Sequence, residues 1–468
     1  MVKATLRSAV LLGLLVWSVP SFAEVQNVKV SGDVTVRSFW RNNLDLHNEN
    51  SGVATAGGAT GLAGLDDERF IMSTTGINIG ADLTENVSTF LRIANERDWN
   101  QAGTGSNASD IAISQAYISL KELFYSPLTV KIGKQPIVWG RGFVLGSSLI
   151  PDTLARGEDL HGAISANEFT DFTAFDAIRA TLDLSNLGGM SLPLTADYVY
   201  IKLNENGVGT NDDVNLQGVN FSTKFASWNS EAELYFLNKR DKSTGTPKND
   251  NFGSVNTFGI RGSAQPGTGT YTYAEVGIQF GQTATDPSGV VPAGESASAW
   301  AFDIGIDHTF ADIATTPKVG FEWVFWSGTD VDGAGAGWDP IASGYFTTAL
   351  REFQTATAGG FYGTDQGGDT AAATNQHQLA FYGSLKPLED LTISPRLTWY
   401  FLNEAAIPVV GSKRRSYAGL EWDTNVVYNY TDDVQLGVLY ALFAPGNVYR
   451  HPNDDAAQEL VTTVSVKF

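Results

Sequence analysis

Leu460-Val461-Thr462-Thr463-Val464-Ser465-Val466-Lys467-Phe468 alternates at a period of two, with Leu460, Val464, Val466 and Phe468 on one face and Val461, Thr463, Ser465 and Lys467 on the other. This is the pattern of a β-strand with one apolar side, and it ends on an aromatic residue. The same pattern recurs upstream. Phe302, Ile304 and Ile306 oppose Asp303 and Asp307; Val319, Phe321, Trp323 and Phe325 oppose Lys318 and Glu322; Leu397, Trp399 and Phe401 oppose Arg396 and Tyr400. A soluble sheet alternates in the same way because one of its faces meets a core, so the pattern alone leaves the fold open.

The other end of the chain narrows the choice. Lys3 and Arg7, an apolar run over 9–17 and Ser21-Phe22-Ala23 predict an export signal at 1–23 and a mature domain from 24 onward. The absence of cysteine rules out a disulfide framework and a thiolate metal site. No later stretch of eighteen or more apolar residues provides a spanning helix. The 49 glycines and 11% aromatic content suit many strands that each need only one greasy face. A net charge of −21 excludes a nucleic-acid partner, which requires basic patches.

Strand-like segments follow one another with alternating long and short connections. The first spans 28–40, a Gly/Asn-rich loop follows, and 71–83 turns tightly into 87–97; the rhythm repeats to the closing 460–468. The expectation is an all-β, transmembrane antiparallel β-barrel of about 18 strands, with short periplasmic turns and long extracellular loops. Those loops are predicted at 41–69, 98–110, 136–168, 204–215, 239–253, 283–297, 327–374, 403–413 and 443–456. Trp40, Tyr198, Tyr235, Trp323, Trp399, Trp422 and Tyr440 are expected in aromatic girdles at the membrane interfaces. A wall of this size encloses more space than its own side chains fill, so the barrel holds water unless loops plug it.

The inward faces mix signs. Arg37, Arg92, Lys131, Arg179, Lys224, Arg261, Lys318, Arg396 and Arg415 stand against Asp33, Glu96, Asp183, Asp197, Glu231, Glu233, Glu275, Asp303, Asp307, Glu322, Glu421 and Asp423. Opposite charges on neighbouring strands brace such a wall, and an unbalanced ring selects ions. The stretch Lys131-Ile132-Gly133-Lys134-Gln135-Pro136-Ile137-Val138-Trp139-Gly140-Arg141-Gly142-Phe143 ends a ladder at Pro136 and opens a long connection that includes Arg156. Two readings stand side by side: a loop packed on the rim, or one folded inward as a constriction. Asp330, Asp332 and Asp339 in the longest loop are weak candidates for a structural calcium, since hard cations take several oxygens from one turn-rich segment. Their spacing does not complete a calcium-loop pattern, turn chemistry is the preferred reading of them, and no cofactor is otherwise expected. The five histidines, His47, His161, His308, His377 and His451, are scattered, and no nucleophile elbow, phosphate loop or dinucleotide fingerprint occurs. No enzymatic step is expected.

Lys131-Ile132-Gly133-Lys134-Gln135 with Trp139-Gly140-Arg141-Gly142, the run Trp338-Asp339-Pro340, and the late Gly419-Leu420-Glu421-Trp422-Asp423 with Phe443-Ala444-Pro445-Gly446 resemble the alginate-export porin family. The resemblance spans nearly all of the mature chain. It implies an 18-stranded monomeric outer-membrane channel passing an anionic polysaccharide or another solute through a charged lumen. It also implies an arginine-lined constriction, for which Arg141, Arg156, Arg179 and Arg396 are the matching positions. The expected partners are outer-membrane lipid, a hydrophilic solute, and the barrel-insertion machinery, engaged through the strand ending at Phe468. A plugged barrel serving as a structural or surface-interaction scaffold is the alternative.

Overall fold

In the computed structural model the described residues are 27–44, 46, 67–99, 111–125, 127–146, 166–185, 192–204, 213–242, 253–282, 296–328, 337–342, 347–351, 374–404, 415–449 and 454–468. They form eighteen strands: β1 (Asn27–Asn42), β2 (Asp67–Thr84), β3 (Val87–Asp98), β4 (Ala112–Leu120), β5 (Leu128–Gln135), β6 (Phe175–Asp183), β7 (Leu194–Asn204), β8 (Val214–Phe225), β9 (Ser230–Asp241), β10 (Gly253–Gly267), β11 (Thr270–Gln282), β12 (Ser296–Thr309), β13 (Lys318–Trp326), β14 (Gln376–Leu388), β15 (Leu391–Leu402), β16 (Tyr417–Asn429), β17 (Val434–Pro445) and β18 (Ala457–Lys467). Each is antiparallel to the next, and β1 also pairs with β18 from Asp33↔Lys467 to Asn42↔Gln458, which closes the sheet on itself. Backbone bonds of 2.8 and 2.9 Å between Gly32 and Phe468 carry the closure one residue further. The Phe468 ring lies over Gly32, where a β-carbon would sit 2.6 Å from it.

Eighteen antiparallel strands in a closed barrel match the expectation from the alternation. Several strand ends differ from it. β1 runs two residues past Trp40, which brings Arg41 into the wall, and β10 continues through Gln265-Pro266-Gly267, so the reversal falls at 268 and 269 with Gly269 at φ 80°. The segment proposed as an export signal lies outside the described residues, as do Arg156, His47, His161 and His451.

Burial is inverted relative to a soluble sheet. Glu275, Asp303 and Glu421 are fully buried, whereas Phe381 and Val319 are 57% and 55% exposed. Carboxylates inside and apolar side chains outside form a stable arrangement only where hydrocarbon, not water, surrounds the wall. No helix among the described residues is long and apolar enough to cross a membrane. Trp40, Tyr198, Trp323, Trp399, Trp422 and Tyr440 lie on the outward face as expected of girdle residues. Tyr235 does not: it shares the inward face with Glu233 and Leu237 and is buried.

Tyr235 belongs to a repeated device of the inner wall. Tyr235 lies flat over its cross-strand partner Gly259 and donates to Glu275 one strand further on, at 2.8 Å. Tyr273 lies over Gly305 and donates to Glu322; Tyr382 lies over Gly320 and donates to Asp307 at 3.2 Å. Strands stand about 4.8 Å apart, so a phenol can reach the second strand only if the one between has no side chain in the way. Gly305→Ala would place its β-carbon 2.5 Å from the Tyr273 ring and lift that ring off Glu322. We expect a cost of about 1–3 kcal/mol, seen as earlier unfolding in a detergent melt. Gly262→Ala, with only a backbone oxygen at 3.9 Å, is expected to leave the melt unchanged.

Candidate functional site: the lumen and its inward segments

The inward charges align across the strands. Glu233, Arg261, Glu275 and Asp303 stand directly opposite one another on β9, β10, β11 and β12. On the far side Arg396, Asp423, Ala441, Glu459, Arg41 and Glu68 do the same across β15, β16, β17, β18, β1 and β2. Ion pairs join these rungs: Arg261–Glu233 at 2.7 Å, Lys318–Asp307 at 3.3 Å, Arg179–Asp197 at 2.8 Å, Arg92–Asp33 at 2.8 Å, and Arg396 with Glu322. Held in low dielectric, such pairs brace the wall and give the lumen charges of both signs.

Three segments of the long connections fold inward onto this belt. The first is 137–146, between β5 and β6. Trp139 Nε1 donates to Asp197 at 3.0 Å, Gly140 N to Glu233 at 3.1 Å and Arg141 N to Glu275 at 3.3 Å. Arg141 Nε then donates to Asp303 at 3.0 Å and Nη2 to Glu322 at 3.3 Å, with the guanidinium 3.7 Å above the Tyr273 ring. Gly140 is at φ 58°, and a β-carbon there would meet Glu275 at 2.5 Å, so glycine is required at the contact. Of the two readings offered by the sequence, the segment takes the inward one. Trp139, Phe143, Val144 and Leu145 then pack with inward aliphatic residues of β7–β9 and with Trp326 into a dry cluster in the long-connection half of the barrel.

The second segment comprises 337–342 and 347–351, between β13 and β14. Trp338 lies over Gly277 of β11, Ala342 pairs with Leu145, and the amides of Leu350 and Arg351 donate to Glu421 at 2.6 and 2.8 Å. Asp339, considered above for calcium, is instead ion-paired with Lys239 at 3.1 Å and bonded to Gln279. Asp330 and Asp332 lie outside the described residues. Among the described residues no group of three or more His, Asp or Glu side chains is placed to hold a metal.

The third segment, 166–174, leads into β6 and docks on the opposite wall. Glu168 pairs with Arg41, which also binds Glu459 at 2.5 Å and Glu68 at 3.5 Å. Phe169 packs edge-on against Phe39 and beneath Arg37, at 4.6 Å, and Asp171 pairs with Arg92 at 2.8 Å. Burial pushes the Glu168 carboxyl up to about 7, with Arg41 opposing and Glu459 adding to the rise. A carboxyl raised on docking binds more protons docked than free, so docking strengthens as pH falls through about 7 and stops gaining below its usual value near 4.3. Protection of the amides in 166–172, each rate taken relative to the intrinsic rate at the same pH, is therefore expected to be greater at about pH 5.5 than at about pH 8. The opposite order would exclude Glu168 as the controlling group.

Below these segments, toward the short turns, a cavity of about 590 Å³ remains between Phe169, Thr348 and Ala349 and the wall of β13–β18. Lys318, Arg396, Tyr382, Asp423 and Asn425 line it. Of the residues singled out in sequence, Arg141, Arg396, Asp303 and Glu322 meet at one point, Asp307 lies beside them, and Glu421 and Asp423 adjoin Arg396. Arg37, Arg92 and Arg179 lie in the belt apart from that cluster, and Lys131 stacks over Tyr117 at 4.5 Å. Arg41, Glu168, Glu459 and Phe169 are central residues that the sequence reading does not pick out. Arg41 shares the parity of Arg37 and Phe39, a signal hidden only by ending the strand at Trp40.

A model of the alginate export family matches residues 47–463. The chain belongs to the alginate export family. Among curated proteins none matches in sequence. The fold is similar to Pseudomonas aeruginosa OccK9 (OpdG), with TM-score 0.54 and 11% identity over 95% of this chain and 99% of that one. It is similar also to P. aeruginosa OccK2 (OpdF), solved in complex with glucuronate, with TM-score 0.53 and 12% identity over 95% and 98%. Acinetobacter baumannii OccAB2 follows at 0.51 and 10% over 95% and 99%. Identities this low carry the fold alone: this alginate export family member shares a closed-barrel architecture with these proteins.

Proposed function

We propose that this barrel is an outer-membrane channel of a Gram-negative bacterium, passing small or oligomeric hydrophilic, charged solutes by passive diffusion with no chemical step. The observation that carries the reading is the cavity of about 590 Å³ beneath the inward segments, bordered by charges of both signs among the described residues. Lys318 and Arg396 bring positive charge to its wall and Glu168, Asp423 and Glu459 negative charge, while Arg141, Asp303, Asp307 and Glu322 join the same ion-pair network. A lumen of this kind favours solutes that carry charge and hydroxyls, a class that includes the glucuronate bound by OccK2 and the uronate units of alginate. The long connections face outside in this reading, and the strand closing at Phe468 is the element presented to the insertion machinery.

Planar-bilayer recording tests the reading. Stable single-channel steps are expected; a sealed barrel would favour the scaffold instead, a second reading supported by the dry cluster around Phe143 and Trp326. Lys318→Glu is expected to move the reversal potential in a salt gradient toward cations, because one unit of charge at the wall of a narrow pore changes local ion concentrations several-fold. An unmoved potential would remove Lys318 from the conducting path.

A further inference from the structure

The cavity beneath the inward segments is uneven in charge. Toward β13–β15 it is bordered by Lys318 and Arg396, and both are already matched: Lys318 pairs with Asp307 at 3.3 Å and Arg396 with Glu322, acids that stand outside the cavity. Toward β16–β18 it is bordered by Asp423, by Glu459 and, from the 166–174 segment, by Glu168. These acids are not matched in the same way. Arg41 is shared among Glu68, Glu168 and Glu459, and it takes only one oxygen from each of the last two. Four carboxylate oxygens are left over: Glu168 Oε2, Glu459 Oε1 and both oxygens of Asp423 are buried with no hydrogen-bond partner. Glu421 and the Ala349 amide flank Asp423, but neither meets it in hydrogen-bonding geometry. Asp423 and Glu459 are 6% and 1% exposed, and a carboxylate oxygen buried this deeply calls for a donor.

The spacing of the acids says what kind of donor fits. Ala441 of β17 pairs with Asp423 on one side and with Glu459 on the other, so the two backbones stand two strand spacings, about 10 Å, apart. One step toward the short turns, Leu439 takes the place of Ala441 and pairs with Val461, and both border the cavity together with Phe169. The acidic ends are thus separated by apolar floor. Among the described residues no three acids are placed to hold a metal ion, and about 590 Å³ is far more room than one ion fills. A molecule with a donor cation at each end and methylenes between matches both the charges and the floor.

We infer that this end of the cavity binds a short aliphatic diammonium, one ammonium at Asp423, the other at the free oxygens of Glu168 and Glu459, and the alkyl chain over Leu439 and Val461. The site lies in the cavity that carries the channel reading but requires no conduction, since a sealed barrel would hold the same ligand.

The test is calorimetric titration of the full chain, folded in a neutral detergent at about pH 8, with 1,4-diaminobutane. Saturable binding of one molecule per chain is expected, with butylamine, which has the same chain and one ammonium, at least about tenfold weaker. Asp423→Asn keeps the shape and removes the charge, and is expected to weaken diamine binding about tenfold. Glu168→Gln, on a connecting segment, is expected to do the same and carries the test if Asp423→Asn does not fold. Bound diamine is also expected to raise amide protection in 166–172, because it holds the oxygen of Glu168 that Arg41 leaves free. No saturable heat would mean that water supplies the missing donors and would overturn the site. Equal binding of butylamine, or unchanged affinity in the folded variants, would do so too. Displacement of the diamine by magnesium at equal charge would reduce the binding to loose counterion attraction by a chain of net charge −21. The readout separates this site from the channel: a barrel that titrates without conducting fails the channel reading only, and one that conducts without titrating fails the site only.

Discussion

Glu322→Ala is expected to detach the 137–146 segment from the wall and raise single-channel conductance. Glu322 is 2% exposed and receives Arg141, Arg396 and the Tyr273 hydroxyl together. Its removal takes a shared carboxylate from Arg141, Arg396 and Tyr273 at once and opens a cavity between the two guanidinium groups. Breaking one partner out of a buried ion network costs about 3–5 kcal/mol. At about 1.4 kcal/mol per decade, this shifts the docking equilibrium by about two to three and a half orders of magnitude. Two readings should move together: trypsin cleavage after Arg141 in intact liposomes, and larger, noisier conductance steps. Glu322→Gln keeps the shape and one acceptor and should fall between wild type and alanine. Wild-type cleavage and conductance in the alanine variant would show that the apolar contacts of Phe143 and Trp139 hold the segment without the charges.

Arg41→Ala should have the other large effect, on the barrel itself. Arg41 is almost wholly buried and gathers Glu68, Glu168 and Glu459, so its loss leaves three carboxylates around one cavity at the junction of β18, β1 and β2. The penalty is again about 3–5 kcal/mol, now placed where the first and last strands meet. A heat-modifiability gel is expected to show the folded band lost at clearly lower temperature, with faster exchange in 166–171. Arg41→Lys restores a charge without the planar fork and should recover only part of the difference. Unchanged melting in Arg41→Ala would mean that protonation of the acids substitutes for the cation.

The barrel is legible in the sequence because the decisive signal is local. Alternation at 302–307, 319–325 and 460–468, with signs opposed to apolar residues, follows from strand geometry alone, and closure follows from what hydrocarbon permits. The inward turn of 137–146 is legible only as one of two options. Its partners, Asp197, Glu233, Glu275, Asp303 and Glu322, are spread over five later strands, and their alignment appears only when register is known. The tyrosines over glycines are hidden for the same reason, since each needs three adjacent strands to be recognised. Tyr235 is the clearest case: an aromatic on a strand reads as a girdle residue until its parity with Glu233 and Leu237 is weighed. Asp339 is another, because Lys239 lies 100 residues away in sequence and 3.1 Å away in space.

In the channel we propose, the uneven filling of the lumen sets where an applied voltage falls. Among the described residues Trp139, Phe143 and Trp338 pack one half while a cavity of about 590 Å³ lies beneath, so in that channel the field concentrates over the length where the packing is tightest, near Arg141. A unit charge moved across that length exchanges nearly the full work of the membrane potential, about 2.3 kcal/mol per 100 mV. The arginine that anchors the strap is thereby also its electrometer.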